Sequence, residues 1–143
     1  MANILKEVKE GGDEAVRRFT LMFDKISLRS LEVTTAEIEE AIALVPEELK
    51  AAIQQAKNNI AKFHATQLID GEEMETMPGV KCWRKILPIE KIGLYIPGGT
   101  APLFSTILML GVPAHYAGCK EVILCSPPGR DGKLHPAIIY AAQ

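Results

Sequence analysis

A glycine-rich turn is the part of the sequence best suited to hold a ligand. It reads Gly-Leu-Tyr-Ile-Pro-Gly-Gly-Thr-Ala-Pro over residues 93–102. Gly98 and Gly99 let the backbone approach a ligand closely, and the unpaired N–H groups of a following helix favour an anion. Tyr95 could stack on a ring or bond a ribose or phosphate. The spacing is neither G-x-G-x-x-G nor a Walker loop, so a plain strand-to-helix turn with a core tyrosine stays open.

The histidines invite a metal-site interpretation, which their spacing does not favour. No two of them stand at ligand spacing, and no cysteine or carboxylate cluster accompanies them: His64, His115 and His135. We expect structural or surface roles, with His64 meeting carbonyls at a helix end. The acidic group lacks the alternating ligands of a calcium loop, which favours a solvated linker: Asp70, Glu72, Glu73 and Glu75.

The cysteines and the tryptophan suggest packing rather than chemistry. Three cysteines are an odd number at spacings of neither a disulfide framework nor a zinc ribbon: Cys82, Cys119 and Cys125. We expect reduced, buried small hydrophobes. Trp83 is either an interface anchor or a core or inter-domain packing residue, and the sequence leaves both open.

Composition excludes several classes of protein. The 143 residues are 48% hydrophobic and 24% charged, as in a globular domain. A formal net charge of −2 gives no basic surface for nucleic acid. The longest mainly apolar segment, residues 101–114, is interrupted and shorter than the roughly 20 residues of a membrane span. The first residues lack signal-peptide features. These observations predict a cytoplasmic protein with no nucleic-acid and no membrane partner.

Residues 1–69 predict a helical region. Apolar side chains recur there at three- and four-residue steps. The signals that end and start the helices are, in chain order, Gly11-Gly12, the cap Asp13, the capping-box pair Thr34 and Glu37, and Pro46. The helix that begins at Pro46 should be about 20 residues long.

Residues 70–79 predict a linker, and residues 80–143 the start of an α/β domain. The predicted elements are an extended segment over 80–87, a buried strand over 92–96, a helix from Leu103 towards Gly118, a second buried strand over 122–125 and a helix from Pro136. Two wholly apolar strands around a helix predict a βαβ unit with covered faces. The expected fold class is therefore α/β: amino-terminal helices followed by a βαβ unit of an incomplete Rossmann-like parallel sheet.

We also expect this chain to be part of a longer protein. It opens directly in a helix and reaches Gln143 without a helix stop signal. One βαβ unit supplies two parallel strands, fewer than an open sheet usually needs for stability.

The sequence resembles the histidinol dehydrogenases of bacteria. The motifs that carry the resemblance are Gly12-Asp13-Glu14-Ala15, Phe23-Asp24-Lys25, Asn59-Ile60, Phe63-His64, Pro78-Gly79-Val80, the glycine-rich run over 93–99, Ala101-Pro102-Leu103-Phe104-Ser105-Thr106, Leu108-Met109-Leu110, Pro113-Ala114, Ala117-Gly118-Cys119-Lys120 and Cys125-Ser126-Pro127-Pro128. The likeness covers essentially the whole chain, which corresponds to the amino-terminal third of the family's usual length.

The resemblance implies a function and one cofactor contact. The family oxidises L-histidinol to L-histidine in two NAD-dependent steps, with zinc, a glutamate–histidine pair and a homodimer. Tyr95 matches the family's NAD-binding tyrosine, and Pro97, Gly98, Gly99 and Thr100 lie beside it and could shape the pocket.

The zinc ligands, the acid–base pair and most substrate contacts belong to later parts of the family sequence. No catalytic and no metal residue is therefore assigned in this chain, which we expect to be inactive alone. The alternatives are a standalone nucleotide-binding or interaction module without redox activity, and a divergent relative that acts on another amino alcohol.

Overall fold

The computed structural model of the chain describes residues 2–68, 71–98 and 101–143. Its helices and strands follow in chain order: α1 Ala2–Asp24, α2 Thr35–Leu44, α3 Glu47–Ala65, β1 Met74–Met77, β2 Val80–Cys82, β3 Lys91–Tyr95, α4 Phe104–Tyr116, β4 Glu121–Cys125 and α5 Pro136–Ala141. The predicted α/β class, with helices first and a βαβ unit after them, is confirmed. The Rossmann-like extension of the sheet stays a prediction.

Helix α1 is two helical segments that meet at Gly12. That residue has φ 53° and ψ −138°, which is not a helical conformation. A positive φ of this kind favours glycine. The chain bends there enough for Glu7 and Arg18, which lie in different segments, to form an ion pair. The predicted helix stop at this point is confirmed.

Helices α2 and α3 begin where their local signals predict. The Thr34 backbone N–H donates to Glu37 Oε2 at 2.8 Å, and the Glu37 N–H donates to Thr34 Oγ1 at 3.3 Å. This is the complete capping box. Pro46 caps α3, whose 19 residues agree with the predicted length.

Strands β1 and β2 form an antiparallel hairpin. Gly79 supplies the turn with φ 82°, and its N–H donates to Glu75 Oε1 at 2.8 Å. Inside the predicted linker over 70–79, residues Met74–Met77 thus form a strand, because the Pro78-Gly79 turn folds that segment back onto β2. The division of the chain into domains stays a prediction.

Strands β3 and β4 pair in parallel, from Lys91↔Glu121 to Tyr95↔Cys125. Helix α4 forms the crossover between them and packs on one face of this sheet, as the βαβ prediction requires. The prediction of covered faces is wrong for this chain: Ile123 is 54% exposed. The physical reason is that the described residues place a helix against one face of the sheet only.

The core lies between this sheet and the helices. Ile96, fully buried just after β3, packs with Ile107 of α4 and Ile138 of α5. Helix α3 packs against α4, and α2 packs against α5. Helices α2 and α3 of the amino-terminal region therefore cover part of α4 and α5.

Candidate functional site

Two turns lie side by side at one edge of the parallel sheet. The last register pair is Tyr95↔Cys125, and the Ile96 N–H continues the ladder by donating to the Cys125 carbonyl at 2.8 Å. The turns after β3 and β4 therefore start together. This edge, outside the carboxyl ends of parallel strands, is where open α/β sheets bind ligands.

Tyr95 lies on the uncovered face of the sheet. It shares that face with Gly93, Ile123 and Cys125, and its side chain is 65% exposed. The core-tyrosine alternative is therefore wrong. An exposed phenol on a rigid strand end can present its ring to a planar group and its hydroxyl to a polar one.

The glycine-rich turn lines a small cavity of about 220 Å³. Pro97 and Gly98 form part of one wall, and the turn after β4 and the start of α5 form other parts, with these side chains among them: Ser126, Pro127, Pro128, His135 and Ile138. Tyr95 does not line this cavity. Pro97 and Gly98 thus line the cavity, whereas Tyr95 lies nearby on the uncovered face of the sheet. Gly99 and Thr100 lie outside the described residues.

Gly98 has a steric reason to be glycine. A Cβ atom at this position would stand 2.7 Å from Pro127 Cγ. Its φ is not in the left-handed region that favours glycine. No local pattern in the sequence signals that the prolines after β4 would meet Gly98.

Two helices begin at this edge. In α4 the N-cap is Leu103, whose side chain makes no capping hydrogen bond, while the Thr106 N–H of the first turn donates to the Leu103 carbonyl at 3.1 Å. In α5 the N-cap is His135, whose Nδ1 accepts from the Ala137 N–H at 3.2 Å. His135 therefore has the structural role that was expected of the histidines.

The other two histidines also make local contacts. His64 lies in the last turn of α3, where Nδ1 is 2.7 Å from Gln67 Oε1. His115 lies in the last turn of α4 and meets the Tyr116 ring edge-on. Within residues 2–68, 71–98 and 101–143, no group of three or more His, Cys, Asp or Glu side chains could hold a metal ion. The described donor set therefore does not fit zinc.

The cysteines are more exposed than predicted, and Trp83 is exposed as well. All three cysteines are free, but Cys82 and Cys125 are exposed and Cys119 is half-buried. The prediction of buried cysteines is therefore wrong, because the β1–β2 hairpin and one sheet face have no cover from the described part of the chain. Trp83 is 64% exposed, which excludes core packing within that part.

No helix in the described segments combines the length and the apolar character needed to cross a bilayer.

Comparison with known proteins gives one consistent family. The family model described as histidinol dehydrogenase matches residues 1–143. A histidinol dehydrogenase of Bacteroides fragilis is 59% identical over 141 residues, covering 99% of this chain and 33% of that protein. One from Xylella fastidiosa is 48% identical over 143 residues, covering 100% of this chain and 33% of that protein.

A solved structure agrees with these relatives. The crystal structure of histidinol dehydrogenase from Elizabethkingia anophelis matches with a TM-score of 0.95 and 51% identity, covering 99% of this chain and 33% of that one. The chain thus spans about a third of the length of the relatives it matches.

Proposed function

The chain belongs to the histidinol dehydrogenase family, and from this we propose that it is the amino-terminal part of an enzyme that oxidises L-histidinol to L-histidine in two NAD-dependent steps. The observation that carries the proposal is the family match over residues 1–143. The whole enzyme would use zinc, a glutamate–histidine pair and a homodimer, in keeping with the family resemblance.

In this proposal Tyr95 binds NAD, and the turn beside it shapes the pocket. The support is geometric: the Tyr95 ring is exposed on a rigid strand end, and Pro97 and Gly98 line the adjacent cavity. Gly99 and Thr100 complete the proposed turn, although they lie outside the described residues. NAD, when bound, supplies the hydride acceptor, while Tyr95 holds and orients it.

Zinc binding and proton transfer would belong to the rest of the enzyme, outside this chain. The described residues contain no group of three or more His, Cys, Asp or Glu side chains that could hold a metal ion. We therefore propose that this chain alone does not reduce NAD with L-histidinol. Formation of NADH by the purified 143-residue chain would contradict that part of the proposal.

The activity is tested on the whole natural protein that carries this segment. Mixing it with L-histidinol and NAD should produce NADH, followed by absorbance, and L-histidine, followed by chromatography. Two NADH should form for each L-histidine, because an alcohol becomes an acid through an aldehyde. Failure to oxidise L-histidinol, with oxidation of a different amino alcohol, would favour the divergent relative instead.

The role of Tyr95 is tested by titrating NAD into three variants of the whole protein. Tyr95→Ala should weaken NAD binding by about 1–3 kcal/mol if the ring stacks on a base. Tyr95→Phe keeps the ring and removes the hydroxyl, so it separates stacking from hydrogen bonding. Lys91→Ala, exposed at the other end of β3, is the matched control. Unchanged NAD affinity in Tyr95→Ala would refute the assignment.

Assembly and location form the rest of the proposal. Helix α1 exposes the apolar side chains of Leu21, Met22 and Phe23, which supports burial in a homodimer. Free cysteines support the reducing cytoplasm as the location. Light scattering of the whole protein should give a dimer mass, and a monomer mass would contradict the homodimer.

A further inference from the structure

The turns after β3 and β4 touch at one tightly packed point. A Cβ atom on Gly98 would stand 2.7 Å from Cγ of Pro127, 3.7 Å from its Cβ and 3.8 Å from its Cδ. Real Cβ atoms essentially never approach another heavy atom as closely as the first of these distances. A side chain at position 98 would therefore force the Pro127 ring or the turn at Gly98 to shift.

Pro127 cannot easily move away. Its ring fixes its own φ, and Pro128 restricts Pro127 to extended backbone. The turn that carries it is tied to the sheet two residues earlier, where the Cys125 carbonyl accepts from the Ile96 N–H at 2.8 Å. The backbone that carries the ring is thus held in place, so the turn at Gly98 is the part expected to shift.

The hydrogen bond from the Ile96 N–H to the Cys125 carbonyl is the last one of the sheet before the turn, so Tyr95 lies within the sheet and Gly98 lies outside it. Tyr95 is paired with Cys125 in the sheet, and Ile96 is fully buried in the core. A shift forced at Gly98 would therefore move the turn while the Tyr95 ring stays in place. A ligand that contacts both the ring and the turn would lose part of its site.

We propose that the contact between Gly98 and the Pro127 ring requires position 98 to lack a side chain, so that the turn keeps its path relative to Tyr95 for dinucleotide binding. This inference rests on the proposed function and deepens it. Position 98 must then be glycine because of Pro127, and not because NAD needs the space. Removing the Pro127 ring should therefore make a side chain at position 98 acceptable.

The experiment is a double-mutant cycle in the whole protein with Gly98→Ala, Pro127→Ala and the pair together. Gly98→Ala should raise the KM for NAD about tenfold, which corresponds to a loss of about 1.4 kcal/mol of binding free energy. The KM for L-histidinol should stay unchanged. In the pair, the substitution Pro127→Ala removes the ring atoms and keeps only the Cβ, at an ordinary contact distance of 3.7 Å, so most of the NAD affinity should return.

Two matched controls make the cycle specific. Pro88→Ala removes a proline ring outside the two turns, which is not among the nearest atoms to the position 98 Cβ, and should not rescue Gly98→Ala. Gly111→Ala adds a Cβ with nothing within 4 Å inside helix α4, and should leave the KM for NAD unchanged.

The outcomes separate this inference from the proposed function. Rescue of Gly98→Ala by Pro127→Ala, and not by the control proline substitution, supports the inference. A wild-type KM for NAD in Gly98→Ala overturns it, and so does a pair no better than Gly98→Ala, since NAD itself would then require the glycine. If Gly98→Ala does not fold, a folded pair supports the inference and an unfolded pair overturns it. Wild-type protein that neither binds nor reduces NAD refutes the proposed function, and the inference with it.

Discussion

Lys133 and Glu40 stand 93 residues apart and form an ion pair, with Lys133 Nζ 2.9 Å from Oε2 and 3.2 Å from Oε1 of Glu40. The pair joins the segment before α5 to helix α2. The hydrogen bond to Glu40, followed by the charge of that carboxylate, raises the pKa of the Lys133 amine above its ordinary value. The helical region and the α/β unit are therefore linked by charge as well as by apolar packing.

Replacing Lys133 by Gln should lower the melting temperature slightly, because the pair is exposed and screened by salt. A raised pKa in the folded state means that the pair's contribution is complete below the unfolded value of about 10.4 and disappears as the pH rises through the folded value. The difference in melting temperature between wild type and Lys133→Gln should therefore vanish at strongly alkaline pH and in high salt. Lys120→Gln, also exposed, is the control; an equal effect there would argue against the pair.

Replacing Thr34 by Ala should reduce the free energy of unfolding by about 0.5–2 kcal/mol, the usual loss for an N-cap hydroxyl. The reason is that the Glu37 N–H loses its acceptor, Thr34 Oγ1. Urea unfolding measures the change. Thr34→Ser keeps the hydroxyl and should behave like the wild type, and equal losses in both variants would show that the cap is not the cause.

The stabilising effect of Glu37 should depend on acid pH. Hydrogen bonds from the Thr34 backbone N–H and then from its hydroxyl lower the pKa of the Glu37 carboxyl below the ordinary 4.5. A lowered pKa means that the contribution is present above the unfolded value and is lost as the pH falls through the folded value. Glu37→Gln should thus be less stable than wild type near neutral pH and equally stable in strong acid. A difference in unfolding midpoint that does not change with pH would contradict this.

Two Gly→Ala substitutions in helices should act in opposite directions. Gly12→Ala should destabilise by about 1–3 kcal/mol, because alanine is strained in the backbone conformation found there. Gly111→Ala, inside α4 with nothing within 4 Å of the added Cβ, should stabilise by about 0.5–1 kcal/mol. Thermal unfolding distinguishes the two, and effects of the same sign would contradict the two backbone assignments.

Truncating Ile96 to Ala should reduce the free energy of unfolding by about 2–5 kcal/mol, because this side chain is fully buried between α4 and α5. Ile96→Val should cost about 0.5–1.5 kcal/mol. Ile123→Ala removes the same atoms from an exposed face, so its effect should stay within about 0.5 kcal/mol. Equal losses at both positions would show that Ile123 is buried in the protein measured.

Local features of the fold could be predicted from the sequence. The capping box of Thr34 and Glu37, the helix break at Gly12 and the parallel βαβ order all follow from residues close together in the chain. The same holds for strand β3, which ends at Tyr95, and for helix α4, since a strand, a glycine pair and an apolar helix are adjacent in the sequence. The β1–β2 hairpin could not be predicted in this way, because it depends on pairing across the turn at Gly79.

The sequence by itself determined the main helices, the two parallel strands, the order of these elements and, through the motifs around Tyr95, the family, because caps, turns and apolar periods depend on neighbours along the chain. Only the tertiary structure decided which surfaces are covered and which distant residues meet. The exposed face that holds Tyr95, the Lys133–Glu40 pair and the contact of Gly98 with Pro127 are all of this kind. Burial and steric exclusion arise from atoms that long chain segments bring together, and no local pattern encodes those distances.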